Sequence, residues 1–203
     1  MNDEDPDFDY GKSALIVYNM QKGNPTGKTV FPKIVPNIKK LIEAAREKGR
    51  PVIYGQHISL PYEYQSKYYV YWIRKSGYDP VEWSKRWSDG APGTEIIDEL
   101  APTPKDHVVK KYVASFFVGT NAEQVLKNKK IETIILTGVT IDHGIESTAR
   151  HASFIGLMPV IVSDAVGNQN EKHAEASLTL MRDVFDCSVK DTDYVVNKIR
   201  NSA

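Results

Sequence analysis

Four stretches of this sequence end in side chains able to do chemistry. Short apolar runs close on Tyr18-Asn19-Met20-Gln21, on Tyr54-Gly55-Gln56-His57, on Lys110-Lys111, and on Thr137-Gly138-Val139-Thr140-Ile141-Asp142-His143-Gly144. Lys111 supplies a positive charge at a strand end, and a helix opening at Gly144 supplies free backbone N–H groups. Together they form a natural anion or oxyanion site, and glycine at position 144 leaves room there for a carboxylate. Taken alone, Lys110 and Lys111 also fit a solvated strand-end charge. Histidine is the side chain whose charge changes nearest neutrality, which makes His57 the leading candidate for a general acid or base. His143 reads as a rim or interface side chain placed to touch substrate, with Gln21 and Thr140, and Asp142 reads as the N-cap of the helix that follows. The five histidines, His57, His107, His143, His151 and His173, show no i, i+4 ligand pair with a third acidic partner, so no metal or other cofactor is expected.

These residues need a scaffold that gathers strand ends. Continuous apolar runs at Ser13–Tyr18, Pro51–Tyr54, His107–Val109, Thr133–Thr137 and Pro159–Ser163, with a weaker one at Ser188–Val189, read as buried parallel strands. Helical periods lie between them. The clearest places Val35, Ile38, Leu41, Ile42 and Ala45 on one face and ends at Lys48-Gly49. Others run over Ala122–Asn128, Ile145–Phe154, Glu171–Phe185 and Thr192–Arg200. The alternation predicts an α/β fold, a doubly wound, mainly parallel six-stranded sheet with helices on both faces. In such a sheet ligands bind beyond the carboxyl ends of the strands, where the residues above collect. Residues 12–203 form one domain in this reading, preceded by a flexible segment over residues 1–11. Residues 62–88 break the rhythm, holding all three tryptophans (Trp72, Trp83, Trp87) and six of the eleven tyrosines. Two readings of that segment compete, a lid whose tryptophans bind a planar or apolar ligand or an oligomer interface, with plain core packing as the third.

Composition excludes other classes. The 203 residues carry 26 basic and 26 acidic side chains, so no basic field favours nucleic acid or a membrane surface. The partners expected are a small-molecule substrate and further copies of the chain. The apolar runs fall well short of the roughly 18 residues a membrane helix needs, and the acidic, polar first eleven residues do not resemble a signal peptide. The single cysteine, Cys187, cannot form an internal disulfide and fits a reducing, cytoplasmic setting as a buried structural thiol.

The run Ile16-Val17-Tyr18-Asn19-Met20-Gln21 resembles the first-strand signature of the isochorismatase-like hydrolases, in which an Asp precedes Met-Gln. Lys111, with Ser115, Phe117, Gly119 and Thr120 after it, is similar to that family's lysine block. Thr137-Gly138-Val139, Asp142 and Glu146-Ser147-Thr148-Ala149-Arg150 are similar to its nucleophile loop and following helix, and Val162-Ser163-Asp164-Ala165 to a later strand-end motif. The resemblance implies a homodimer or homotetramer and a catalytic triad of Asp, Lys and Cys. Here Asn19 stands at the aspartate position and Gly144 at the cysteine position, which leaves Lys111 alone.

Glycine offers no nucleophile, and an Asn amide does not titrate in the useful range. The resemblance also implies a way round the missing thiol, because the isochorismatase branch cleaves a vinyl ether with Gly at the cysteine position, using the first-strand Asp as acid. This chain follows that branch at Gly144 and departs from it at Asn19. The leading expectation is therefore a hydrolase acting on a small, carboxylated or planar substrate without a covalent cysteine intermediate. Lys111 would bind or polarise the anionic part, Asn19 would orient substrate or water, and backbone N–H groups around Thr140 and Gly144 would stabilise charge. The alternative is a catalytically inactive ligand-binding or assembly module. A third reading takes Asn19 as a deliberate replacement of Asp.

Overall fold

The computed structural model describes residues 7–203. Six parallel strands form one sheet in the order β3-β2-β1-β4-β5-β6: β1 (Ser13–Tyr18), β2 (Val52–His57), β3 (His107–Lys111), β4 (Thr133–Val139), β5 (Met158–Gly167) and β6 (Ser188–Lys190). All six expected strands are present, most of them longer at the carboxyl end than the apolar runs suggested.

Successive side chains of a strand point to opposite faces, and here both faces are covered. Leu15, Val17, Ile135, Val160 and Val162 pack on one side under α1 (Gly27–Glu47) and α7 (Thr192–Asn201). Ala14, Ile16, Ile134, Leu136 and Ile161 pack on the other under α4 (Ala122–Asn128), α5 (Glu146–Phe154) and α6 (Glu171–Val184). β1 is buried along its whole length, which is why it reads as a continuous apolar run rather than an alternating one. Truncating a fully buried side chain such as Leu136 to Ala would cost about 2–5 kcal/mol. The first helix ends as its sequence indicates, with Gly49 at φ +65° just past Lys48.

The chain runs from β1 outward through β2 to β3 and then returns to the other side of β1 as β4. The crevice at that reversal lies between the ends of β1 and β4, so Asn19 and Thr140 flank it. Gly138, at φ +104°, is required for this approach: a Cβ there would collide with the Tyr18 carbonyl oxygen and lie 2.9 Å from Tyr18 N and C.

Residues 62–88 fold as two short helices, α2 (Lys67–Lys75) and α3 (Pro80–Arg86), around a satellite core of Ile73, Trp83 and Trp87 with Tyr69 and Trp72 against it. Ser66 and Asp79 cap their N-termini through side-chain oxygens. Of the flexible segment expected over residues 1–11, residues 1–6 lie outside the described residues. The rest is docked where it meets the sheet. Asp9 accepts hydrogen bonds from the Gly11 and Lys12 N–H groups, and Tyr10 is buried in the main core. Among the described residues no helix is long and apolar enough to cross a membrane.

Candidate active site

Strand register brings the predicted residues together. His57 and Lys111 are Cα partners at the ends of neighbouring strands, so their side chains leave the sheet on the same face. Asn19 ends β1 in the left-handed region at φ +52°, a conformation that Asn tolerates better than most residues. Its backbone is held by Gly55, Gln21 and Asn24, whereas its side-chain Oδ1 is buried with no hydrogen-bond partner. A buried acceptor left open in this way is suited to a donor brought by a ligand.

Lys111 is 1% exposed, and among the described residues no carboxylate forms an ion pair with it. Its Nζ donates to the Val113 carbonyl at 3.2 Å and lies 4.3 Å from the centroid of the Tyr18 ring. Burial without a counter-charge pulls its pKa from 10.5 down to about 7. The amine and the ammonium are therefore both available near neutrality.

His57 behaves differently from the expectation of a neutral-pH acid. Its Nε2 is 2.9 Å from the Tyr69 hydroxyl, and its ring meets Trp87 edge-on with centroids 5.4 Å apart. Desolvation first, then the charges of Lys111 and His143, lower its pKa to about 3. An imidazole held neutral is a poor proton donor, and its place in the structure is to join the site to the aromatic segment. His143 is exposed but stacks on Trp72, with centroids 5.9 Å apart and planes 7° apart. Its pKa is lowered as well, chiefly by desolvation.

Several expected contacts are already committed within the protein. Gln21 is fully buried. Its Oε1 accepts from the His57 N–H, and its Nε2 donates to the carbonyls of His57 and Thr94, so it latches β1 to β2 and has no free face for substrate. Trp83 and Trp87 are core residues of the aromatic segment. The Trp83 indole N–H donates to the Tyr69 hydroxyl, and of the three tryptophans Trp72 is the one that reaches the loop before α5, by stacking on His143. Residues 62–88 thus show two faces, an inner one packed on His57 and His143 and an outer one carrying exposed Tyr64, Tyr68 and Tyr71.

The oxyanion expectation is corrected for the donors at and beside Gly144. Between β4 and α5 the chain forms a π-helical turn, Ile141–Ile145, in which the N–H groups of His143, Gly144 and Ile145 all point to the Thr140 carbonyl. Those donors are engaged inside the turn. Asp142 is not an N-cap either; it lies 3.3 Å from Nδ1 of His173 on α6.

Nor is the space at Gly144 open. A Cβ built there would overlap Cε1 of Tyr18 and lie 2.7 Å from its Cζ and its hydroxyl oxygen. Tyr18 was missed from the sequence because it reads as one more buried strand residue; its signal was a large ring one position before Asn19, paired with a missing side chain at 144. Remaining family positions do structural work. Asp164 accepts from the Thr192 N–H and hydroxyl at the start of α7, and Arg150 pairs with Glu146 at 2.7 Å. Cys187 lies just before β6 at the amino end of the sheet, buried, with its thiol pushed up to about 11 by desolvation.

A doubly wound parallel sheet with a buried lysine and a helix-opening loop at its strand reversal defines an α/β protein of the kind that binds small molecules at the carboxyl ends of its strands. Residues 13–193 match the isochorismatase domain, and the chain belongs to the isochorismatase family of hydrolases. An uncharacterized isochorismatase family protein of Bacillus subtilis (strain 168) is 28% identical, over 92% of this chain and 95% of that one. The N-carbamoylsarcosine amidase of an Arthrobacter species is 29% identical over 87% of this chain, which spans 65% of the amidase's length. Among solved structures, the cysteine hydrolase of Pseudomonas syringae pv. phaseolicola 1448A superposes with a TM-score of 0.83 at 25% identity, over 97% of this chain and 96% of that one.

Proposed function

We propose that this chain is a hydrolase that acts on a small, carboxylated or planar substrate without forming a covalent enzyme intermediate, with Lys111 as its acid–base group. The observation that carries this reading is the burial of Lys111 at a strand end with no carboxylate among the described residues paired to it, which brings its pKa to about 7. A group poised near the working pH is suited both to accept a proton from attacking water and to return one to the leaving group. The orphan Oδ1 of Asn19 offers an acceptor for a substrate N–H or for that water. Trp72 and His143, stacked on each other beside the loop before α5, offer a flat surface for a planar group. The similarity to N-carbamoylsarcosine amidase adds carbamoyl amides to the substrate classes worth testing.

The second reading, a catalytically inactive binding module, is favoured by one observation, the Tyr18 ring packed where a nucleophile would stand. Turnover of a panel of vinyl ethers, carbamoyl amides and small esters separates the two. The hydrolase reading expects at least one substrate to be turned over by the wild type and lost in Lys111→Met. No turnover across the panel, with none restored by Asn19→Asp, favours the inactive reading. The outer tyrosines Tyr64, Tyr68 and Tyr71 support self-association as a homodimer or homotetramer; sedimentation of the wild type as a monomer would exclude it.

A further inference from the structure

We infer that Tyr18 determines what this site admits: its ring substitutes for the side chain that Gly144 lacks and closes the space between Gly144 and Lys111. The inference deepens the reading of Lys111 as the working group and rests on it only for the class of ligand.

The ring is fully buried and boxed on several sides. Its hydroxyl donates to the Ala114 carbonyl, and Lys111 Nζ stands 4.3 Å from its centroid. Behind it, a Cβ on Gly55 would come within 3.2 Å of Tyr18 Cδ2 and 3.4 Å of Phe116. Glycine at 55 and glycine at 144 therefore make room for one aromatic ring between them. The ring cannot turn away freely, because Phe116 packs beside it. The spot next to the lysine, which in an open site would take a carboxylate, is filled by a neutral phenol that burial keeps protonated. The anionic group of a ligand is thereby kept out of the deep position beside Lys111. Replacing Tyr18 by a smaller residue opens a second, deeper subsite of the chemistry that Lys111 dictates, one for a small monocarboxylate.

Two measurements that do not use turnover test this. The first is acetate binding at pH 6, followed by NMR chemical shifts, in the wild type, Tyr18→Val, Tyr18→Phe and Tyr18→Val combined with Lys111→Met. Tyr18→Val should bind acetate at least about tenfold more tightly than the wild type. Tyr18→Phe, which keeps the ring, should match the wild type, and the double variant should lose the gain. Equal affinity in the wild type and folded Tyr18→Val overturns the inference.

The second measurement is thermal unfolding of Gly144→Ala, which stays informative if Tyr18→Val fails to fold. Gly144 does not need a positive φ, so alanine there should by backbone entropy alone raise the unfolding midpoint. The Tyr18 ring predicts the opposite sign, a midpoint lowered by several degrees. A midpoint unchanged or raised would show that the ring does not hold that space. Because neither readout depends on catalysis, an inactive protein with a closed Tyr18 pocket would sink the proposed hydrolase while leaving this inference standing.

Discussion

Lys111→Met removes a buried charge while keeping most of the side-chain length, and its effect on stability can be worked out with its sign. The folded pKa is about 7 against 10.5 for the free side chain. Between those values the unfolded chain holds a proton that the folded chain has released, so the contribution of Lys111 to wild-type stability rises with pH from about 7 to 10.5. The drop corresponds to at most about 5 kcal/mol of preference for the neutral amine, which relaxation around the ammonium reduces to roughly 2–3 kcal/mol. Titration of the neighbours does not mimic this. His57 is neutral throughout the range, the Tyr18 phenol is raised, and the Cys187 thiol is pushed up to about 11. Urea unfolding of wild type and Lys111→Met at intervals from pH 6 to 10 should therefore show the variant more stable by about 2–3 kcal/mol at pH 6, with the gap closing toward pH 10. Parallel curves across that range would refute the claim that Lys111 is buried without a counter-charge.

Other expectations follow from the same geometry. In an NMR titration the Cε1 proton of His57 should show no inflexion between pH 8 and 5, because its folded pKa lies near 3; an inflexion near 6.5 would mean that the ring is solvated. Since the unfolded chain takes up that proton first, the contribution of His57 to stability is lost as the pH falls from 6.5 toward 3. Cys187, buried and with its thiol raised to about 11, should react with a thiol reagent at least about tenfold more slowly than a free cysteine, and only unfolding should release it. Trp72→Ala should leave the sheet intact by circular dichroism but weaken binding of planar substrates by about three- to tenfold, since a stacked aromatic contact is worth about 0.5–1.5 kcal/mol.

Much of the fold could be read from pattern because parallel strands buried on both faces leave uninterrupted apolar runs, and β1 and β4 are buried at every position. The crevice was equally legible, because strand reversal places Asn19, His57, Lys111 and Thr140 at one edge whatever their chemistry. What could not be read is which polar groups were already engaged. Gln21 looks like a pocket residue in sequence, and only the register of β1 against β2 shows its amide bonded to His57. The N–H groups of His143, Gly144 and Ile145 look free until the π-helical turn folds them back on the Thr140 carbonyl. Tyr18 and Gly144 are 126 positions apart, and their exchange of volume appears only when the strands are assembled.

The most direct test of the central claim is the pH dependence of turnover by the wild type and Lys111→Met on whichever vinyl ether, carbamoyl amide or ester the wild type consumes. An acid–base lysine predicts an inflexion near pH 7 in the wild type and a loss of at least about a hundredfold in the variant, with no covalent adduct in the quenched protein by mass spectrometry. Turnover that survives Lys111→Met with its pH profile unchanged would contradict the account.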